Sequence, residues 1–213
     1  VPYLWTIRIA LIAGLYIYLI LSRTILRERT KYHAILESGP PNVIFITIYN
    51  ALCYLAVGIR SDPHVIKKPS LFDTSLVANW YSILGQLFIV GSVLLLIHTI
   101  VKRKAIGAQD TGGGLLTSGI YSFSRHPIYV GIVLIALGIA IVRTNLDGMI
   151  VFPLVFLANV IQAKLEELYD VGVRFKKEYQ QYKKRTRMFG PLWFWIVIVL
   201  LLVTPLIISF TQG

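Results

Sequence analysis

Arg125, His126 and Pro127 stand in succession, with Tyr129 two places on and Gly119 and Tyr121 just before them. That order suits the start of a helix. Proline is favoured at the first helical position, where its missing N–H is not needed, and the residue before it is pushed off helical angles. The spacing predicts His126 as a cap and a helix from Pro127. A helix start carries partial positive charge and unpaired amides, so with Arg125 and His126 beside it the place suits a carboxylate or phosphate. Lipid phosphates are the alternative partner of Arg125. Tyr121 and Tyr129 suit a membrane interface, or a cationic ligand against a ring face.

Glu166 and Glu167 form a second group. Adjacent side chains on a helix point about 100° apart, so both cannot face one ligand squarely. One is available to a ligand while the other pairs with arginine or lysine; the plainer alternative is a solvated face balanced by nearby lysines. Metal binding is not expected, since His33, His64, His98 and His126 lack ligand spacing. His98 reads as a packed, hydrogen-bonded residue. No Ser-His-Asp or Cys-His set is evident, and Cys53 reads as a small apolar core residue.

The elements that position these residues belong to a membrane. Hydrophobic residues make up 56% of the 213 and mean hydropathy is +0.70, against about 45–50% apolar in soluble domains. Apolar windows run over Tyr3–Leu21, Asn42–Ile59, Ser75–Val101, Ile128–Val142, Gly148–Ala163 and Leu192–Phe210. A span needs about 18 or more such residues, and lipid offers the backbone no partner, so each window is read as a helix. The fourth and fifth are short and read as a hairpin about the turn Arg143–Asp147. The first reads as an anchor rather than a signal peptide, being long in its apolar part and without a basic start. Ser38–Asn42 reads as a turn between helices. The expected fold is all-α and polytopic, about six transmembrane helices plus a cytosolic amphipathic helix.

With the N-terminus outside, loops 22–41, 102–127 and 164–191 carry sixteen of the 21 Lys and Arg, and the outer loops 60–74 and 143–147 carry four. This follows the positive-inside rule. The net charge of +11 thus faces anionic lipid rather than nucleic acid. Arg8, inside the first window, is expected to snorkel to the outer interface. Loop 102–127, with Gly112–Gly114, reads as a flexible linker or as a loop closing over a ligand. After the fifth window Leu165, Leu168, Gly172, Phe175, Tyr179 and Tyr182 form one apolar stripe, on a helix that lies on lipid or covers that loop. The chain is read as one membrane domain: anchoring helices in 1–101, a cofactor-binding half in 102–191 and an extra span in 192–213.

The run Leu115–Tyr121, then Arg125-His126-Pro127-Ile128-Tyr129-Val130-Gly131, resembles the motif of the isoprenylcysteine carboxyl methyltransferase family and its phospholipid methyltransferase relatives. Glu166-Glu167 followed by Phe175, Tyr179 and Tyr182 resembles that family's second stretch. The resemblance covers about residues 84–190. It implies a membrane-embedded methyltransferase that uses S-adenosylmethionine in a cytosol-facing pocket, with a tunnel toward lipid for the substrate. By carry-over Leu116, Gly119 and Tyr121 would line the adenosine side. Arg125, His126 and Tyr129, at the helix begun by Pro127, would hold the amino-acid end. Glu166 or Glu167 would take ribose hydroxyls or the ammonium, and Arg125 and Glu167 are the catalytic candidates. Lys176 stands where the family has glycine, and the spacing from Glu167 to Phe175 is one residue longer than the family's, which leaves open which glutamate faces the cofactor.

The leading expectation is methylation of a lipophilic or lipidated acceptor, first among them an isoprenylcysteine-like carboxylate, with phospholipid amines and small thiols as alternatives. An anionic acceptor needs no strong base; an amine would need one, for which a glutamate or His98 is available. A nicotinamide-dependent sterol reductase relative and a non-enzymatic scaffold are further alternatives. Neither the acceptor nor the oligomeric state is written in the sequence.

Overall fold

A computed structural model describes residues 2–28, 30–32, 39–59, 75–103, 114–142 and 146–211. Among them all regular structure is helical. Of the expected loops, residues 60–74, the stretch 104–113 with Gly112-Gly113, and the turn residues Arg143-Thr144-Asn145 lie outside the described residues.

Long apolar helices come first: α1 over Pro2–Arg27, α2 over Gly39–Gly58 and α3 over Ser75–Arg103. A single turn, α4 (Ile120–Phe123), precedes α5 (Pro127–Val142) and α6 (Leu146–Glu166). A π-helical turn at Glu167–Val171 joins α6 to α7 (Gly172–Arg185), and α8 covers Leu192–Thr211. At 1.5 Å per residue, α1 is about 39 Å long, enough to cross a hydrocarbon core of about 30 Å. Among the described residues four helical stretches are long and apolar enough to span, and Pro127–Val142 and Leu192–Leu202 are shorter apolar ones. The outer faces expose Ile20, Leu21, Ile44, Leu87, Leu94 and Val101. Such side chains are tolerated outside where the surroundings are lipid. The chain is an all-α polytopic membrane protein, as its windows predict.

The short helix is the hub. α5 is apolar on every side and buried from Tyr129 through Gly138, the pattern of a helix enclosed by others. It packs on α2, α3 and α6. Its contact with α3 is made by glycine: a Cβ on Gly138 would lie 2.7 Å from the Gly85 carbonyl oxygen, and one on Gly85 would lie 2.9 Å from that of Gly138. Small residues let helices in lipid approach to backbone distance. The last helix docks on α3, where the Tyr81 hydroxyl donates to the Leu202 carbonyl at 2.6 Å.

Three expectations are corrected. Gly39–Asn42 is the first turn of α2, not a loop; two prolines fit there because the first amides of a helix have no intrahelical acceptor. Arg8 does not snorkel. It is fully buried, donating to the carbonyls of Ala56, at 3.1 Å, and Ile59 and pairing with Asp147 at 3.3 Å. A buried guanidinium needs an anion and acceptors for its remaining protons, and the end of α2 with the start of α6 supplies both. The amphipathic helix is not continuous: the π-turn interrupts it, so Leu168 of the apolar stripe is left 62% exposed.

Candidate active site

The rim of the bundle holds the motif residues. Pro127 begins α5, and the His126 carbonyl accepts the Val130 amide at 3.2 Å. His126 is therefore the cap that the proline predicts. The chain before it is fixed by an extended strip after α7. The amides of Arg125 and His126 donate to the carbonyls of Arg187 and Met188 at 3.0 and 3.2 Å, and the Ser124 hydroxyl donates to Met188 at 2.7 Å.

Arg125 and His126 find their anion inside the protein. Arg125 donates through Nε and Nη2 to Glu167 Oε1 at 3.0 and 2.8 Å. Its Nη1 donates to the Thr186 carbonyl. His126 Nε2 lies 3.3 Å from the same Glu167 oxygen, and Lys183 approaches the other carboxylate oxygen at 3.4 Å. Burial raises the Glu167 carboxyl, but the hydrogen bonds and charge of His126 and Arg125 outweigh it and hold Glu167 well below the usual carboxylate range. Arg125 is thus directed at a protein carboxylate rather than at lipid phosphates.

Glu166 points the other way. Its Oε1 accepts the Tyr129 hydroxyl at 2.5 Å and its Oε2 lies 3.7 Å from His126 Nδ1. Burial pushes its carboxyl above the ordinary value, and the nearby His126 and the Tyr129 hydrogen bond oppose this less strongly. One imidazole therefore sits between two carboxylates of opposite tendency. The sequence left open which glutamate faces a ligand. Glu166 lines a cavity of about 740 Å³ and Glu167 lies behind it.

The cavity volume is within the range of small-molecule sites, roughly 300–1,000 Å³. Of the sequence candidates, Leu116, Tyr121, Arg125, His126, Pro127, Tyr129 and Glu166 line it. Gly119 does not; its φ of 65° serves the turn before α4, a conformation glycine adopts without strain. His98 is exposed and lies outside the lining, so it is neither packed nor placed to act as a base. No cluster able to hold a metal occurs among the described residues.

α7 closes one side. Tyr179 and Tyr182 are buried with Tyr121, against Leu115, Leu116 and Phe175, and the Tyr182 hydroxyl donates to the Tyr121 carbonyl at 2.5 Å. The helix covers segment 115–121 rather than lying free on lipid. A local backbone feature allows this. Lys176, inside α7, has φ 38° and ψ −111°, so the helix kinks between Phe175 and the buried tyrosines.

Several lining residues carry no motif. Lys102 and Arg103 end α3 at the rim, and Arg174 comes from α7. Tyr18 and Ser22 of α1, Phe45, Tyr49 and Asn50 of α2 and Gln162 of α6 form the inner wall. The rings of Tyr18, Tyr49 and Tyr129 form a chain, with centroid separations of 4.9 and 6.5 Å. The one sequence signal for the inner wall was polarity: Ser22, Asn50 and Gln162 interrupt apolar helices.

Residues 76–171 match the model of a family described as phospholipid methyltransferase. The chain is 31% identical over 129 residues to methanethiol S-methyltransferase 1 of Bradyrhizobium diazoefficiens, a match covering 59% of this chain and 44% of that one. It is 39% identical over 72 residues to the protein-S-isoprenylcysteine O-methyltransferase of Schizosaccharomyces pombe, covering 33% and 30%. With that of Saccharomyces cerevisiae it shares 29% over 128 residues, covering 54% and 51%. The chain thus spans about a third to a half of the length of these relatives. No solved structure matches it. The matched stretch runs from α3 through the glutamate pair and contains the histidine cap and Glu166; over residues 76–171 the chain is similar to the phospholipid methyltransferase family.

Proposed function

We propose that the chain is an S-adenosylmethionine-dependent methyltransferase whose acceptor is a lipophilic molecule reaching the cavity from the membrane, with the cofactor entering at a rim that faces the cytosol. The observation that carries this is Glu166, a half-buried carboxylate facing a cavity of about 740 Å³ beside Tyr129 and His126.

The lining fits a zwitterionic sulfonium. Glu166 would take the ammonium. Lys102 and Arg103, on the same rim, would take the carboxylate, because Arg125 is already directed to Glu167. Leu115, Leu116, Val171 and Phe175 offer an apolar bed for a nucleoside. The faces of Tyr18, Tyr49 and Tyr129 suit a sulfonium, since ring quadrupoles attract cations. When bound, the cofactor supplies a methyl group on positively charged sulfur and leaves as a neutral thioether once an acceptor lone pair has taken that methyl.

The protein's own contribution is placement and exclusion of water. Arg125 and Glu167 lock the start of α5 to the π-turn. Tyr129 and His126 then orient Glu166. Holding two reactants in line supplies a large part of such a rate. By their names, the relatives methylate oxygen on an isoprenylcysteine and sulfur on methanethiol. The shared reading is therefore transfer to a nucleophile that is small or lipid-borne.

Calorimetric titration of the detergent-solubilised chain with S-adenosylmethionine tests this. We expect saturable binding that Glu166→Gln weakens at least about tenfold, the loss of one charge-assisted contact. Absence of binding by the unaltered chain overturns the reading.

A further inference from the structure

α3 turns one amide toward lipid. Gln86 is exposed, and among the described residues its one hydrogen bond is an Nε2 donation to the Ser82 hydroxyl at 3.2 Å. A glutamine amide has two N–H donors and an oxygen acceptor, so one N–H and the oxygen remain unused. The depth makes this costly. α3 is long and apolar enough to span over Trp80–Arg103. At 1.5 Å per residue Gln86 lies about 9 Å from Trp80 and about 24 Å from Lys102, within hydrocarbon that offers no water as a substitute. Among the described residues it is the one amide or charged side chain exposed more than five residues from either end of α1, α2, α3, α5, α6 or α8. The others at such depth are enclosed: Arg8, Asn159 and Gln162 are buried and Asn50 is half-buried.

Gln86 belongs to a stripe. Ile83, Gln86, Val90, Val93 and Ile97 follow at steps of three and four, so they share one face of α3. The four aliphatic members are between 42% and 57% exposed. All four are β-branched, and in a helix such side chains already hold one rotamer, so packing against them orders little that was free. The stripe is separate from the contacts that fix α3 in the bundle. Gly85 and Ile89 meet Gly138 of α5, and the Tyr81 hydroxyl bonds to Leu202 of α8.

We propose that this stripe is a homodimer interface, covered by a second copy of the chain with Gln86 against Gln86. Two features favour a second copy over another partner. Copies inserted with one topology lie parallel, and a two-fold axis along the membrane normal brings each residue level with itself. The amide is also self-complementary: the unused N–H of one copy meets the unused oxygen of the other in two reciprocal bonds. Side-chain amides hydrogen-bond across membrane helices in this way, and steps of three and four form the seam of a left-handed helix pair. No residue of the stripe lines the cavity, so the interface does not depend on what the cavity binds.

The test reconstitutes the full chain in phosphatidylcholine vesicles, with a donor or an acceptor fluorophore on a C-terminal tag, and follows energy transfer as lipid is added. We expect a dimer that dissociates on dilution. Gln86→Leu should weaken association at least about fivefold, and Gln86→Asn, which keeps the amide, should weaken it less. Both variants should melt like the unaltered chain, because within one copy the amide bonds only to Ser82; that also shows them to be folded. Oxidation should cross-link copies carrying Val90→Cys, as a disulfide needs Cα atoms within about 7 Å. It should not cross-link copies carrying Ile17→Cys, on the lipid face of α1, and the native Cys53 is buried in both. A monomer at every lipid ratio, association unmoved by Gln86→Leu, or equal cross-linking at the two positions overturns the interface and leaves lipid as the cover of α3.

Discussion

Arg125 and Glu167, on either side of the α5–α6 hairpin, meet through two hydrogen bonds to a single carboxylate oxygen, at 2.8 and 3.0 Å. Both side chains are nearly inaccessible, at 7% and 3%. Buried ion pairs contribute little net stability when intact, but removing one partner strands the other. Arg125→Ala should therefore cost about 3–5 kcal/mol of folding free energy. Arg125→Lys should recover only part, because one ammonium cannot reproduce a guanidinium's fixed set of donors. Thermal melts of both variants in one detergent, together with Glu167→Gln and the double variant, would measure the coupling. Additive effects would show that the pair does not act as a unit.

The same pair sets a pH dependence. Glu167 is held below its ordinary value of 4.5 in the folded protein. The folded state therefore binds fewer protons at that site than the unfolded chain. Its stabilisation is complete above about pH 4.5 and is lost as pH falls toward the lower folded-state value. Melting temperatures should fall less steeply between about pH 5 and pH 2 in Glu167→Gln than in the unaltered chain. An identical pH dependence in both would show that this carboxylate is not protected.

Glu166 should behave oppositely. Burial raises its carboxyl, so the charged form costs stability near neutral pH in a protein without ligand. Glu166→Gln keeps the shape and removes that charge. The variant should melt at a higher temperature at pH 7 and lose S-adenosylmethionine binding, the trade of stability against function expected of a ligand-facing charge. Lower stability with intact binding would place the ligand charge elsewhere.

Much of this was legible in the sequence because lipid leaves the backbone few choices. The windows at Tyr3, Asn42, Ser75, Ile128, Gly148 and Leu192 each correspond to a helix, and the histidine–proline step marked the start of α5. The glutamate pair was legible as a pair, and the geometry of a helix said that the two would part company. Which one faced the cavity was not legible, because the π-turn at Glu167–Val171 rotates everything after it. Arg8 was misread because its partner Asp147 is far along the chain. Asn50 and Gln162 went unnoticed because each is one polar residue on a different apolar helix, and only the packing of α2 beside α6 brings them to one cavity.

Gly172 permits the π-turn. A Cβ there would overlap the Glu167 carbonyl oxygen, which accepts the Gly172 amide. In an ordinary helix Gly→Ala stabilises by about 1 kcal/mol. Here the clash decides the sign: Gly172→Ala should destabilise, and it should weaken cofactor binding by displacing the glutamates. A gain in melting temperature would mean that the turn relaxes to a regular helix without cost.

Lys176 offers a test in which stability should rise. Its φ of 38° with ψ of −111° lies where only glycine is comfortable, and the resembled family has glycine at this place. Holding a side chain there costs about 1–3 kcal/mol. The extra freedom that glycine gives the unfolded chain offsets up to about 1 kcal/mol of the relief. Lys176→Gly should therefore stabilise by about 1 kcal/mol, whereas Lys176→Ala, which keeps the Cβ, should not. Because the kink lets Tyr179 and Tyr182 cover Tyr121, the glycine variant should also leave cofactor affinity unchanged. If alanine and glycine shift the melting temperature equally, the gain comes from the lost charge among Lys176, Lys177 and their neighbours, and the backbone at this position is not strained.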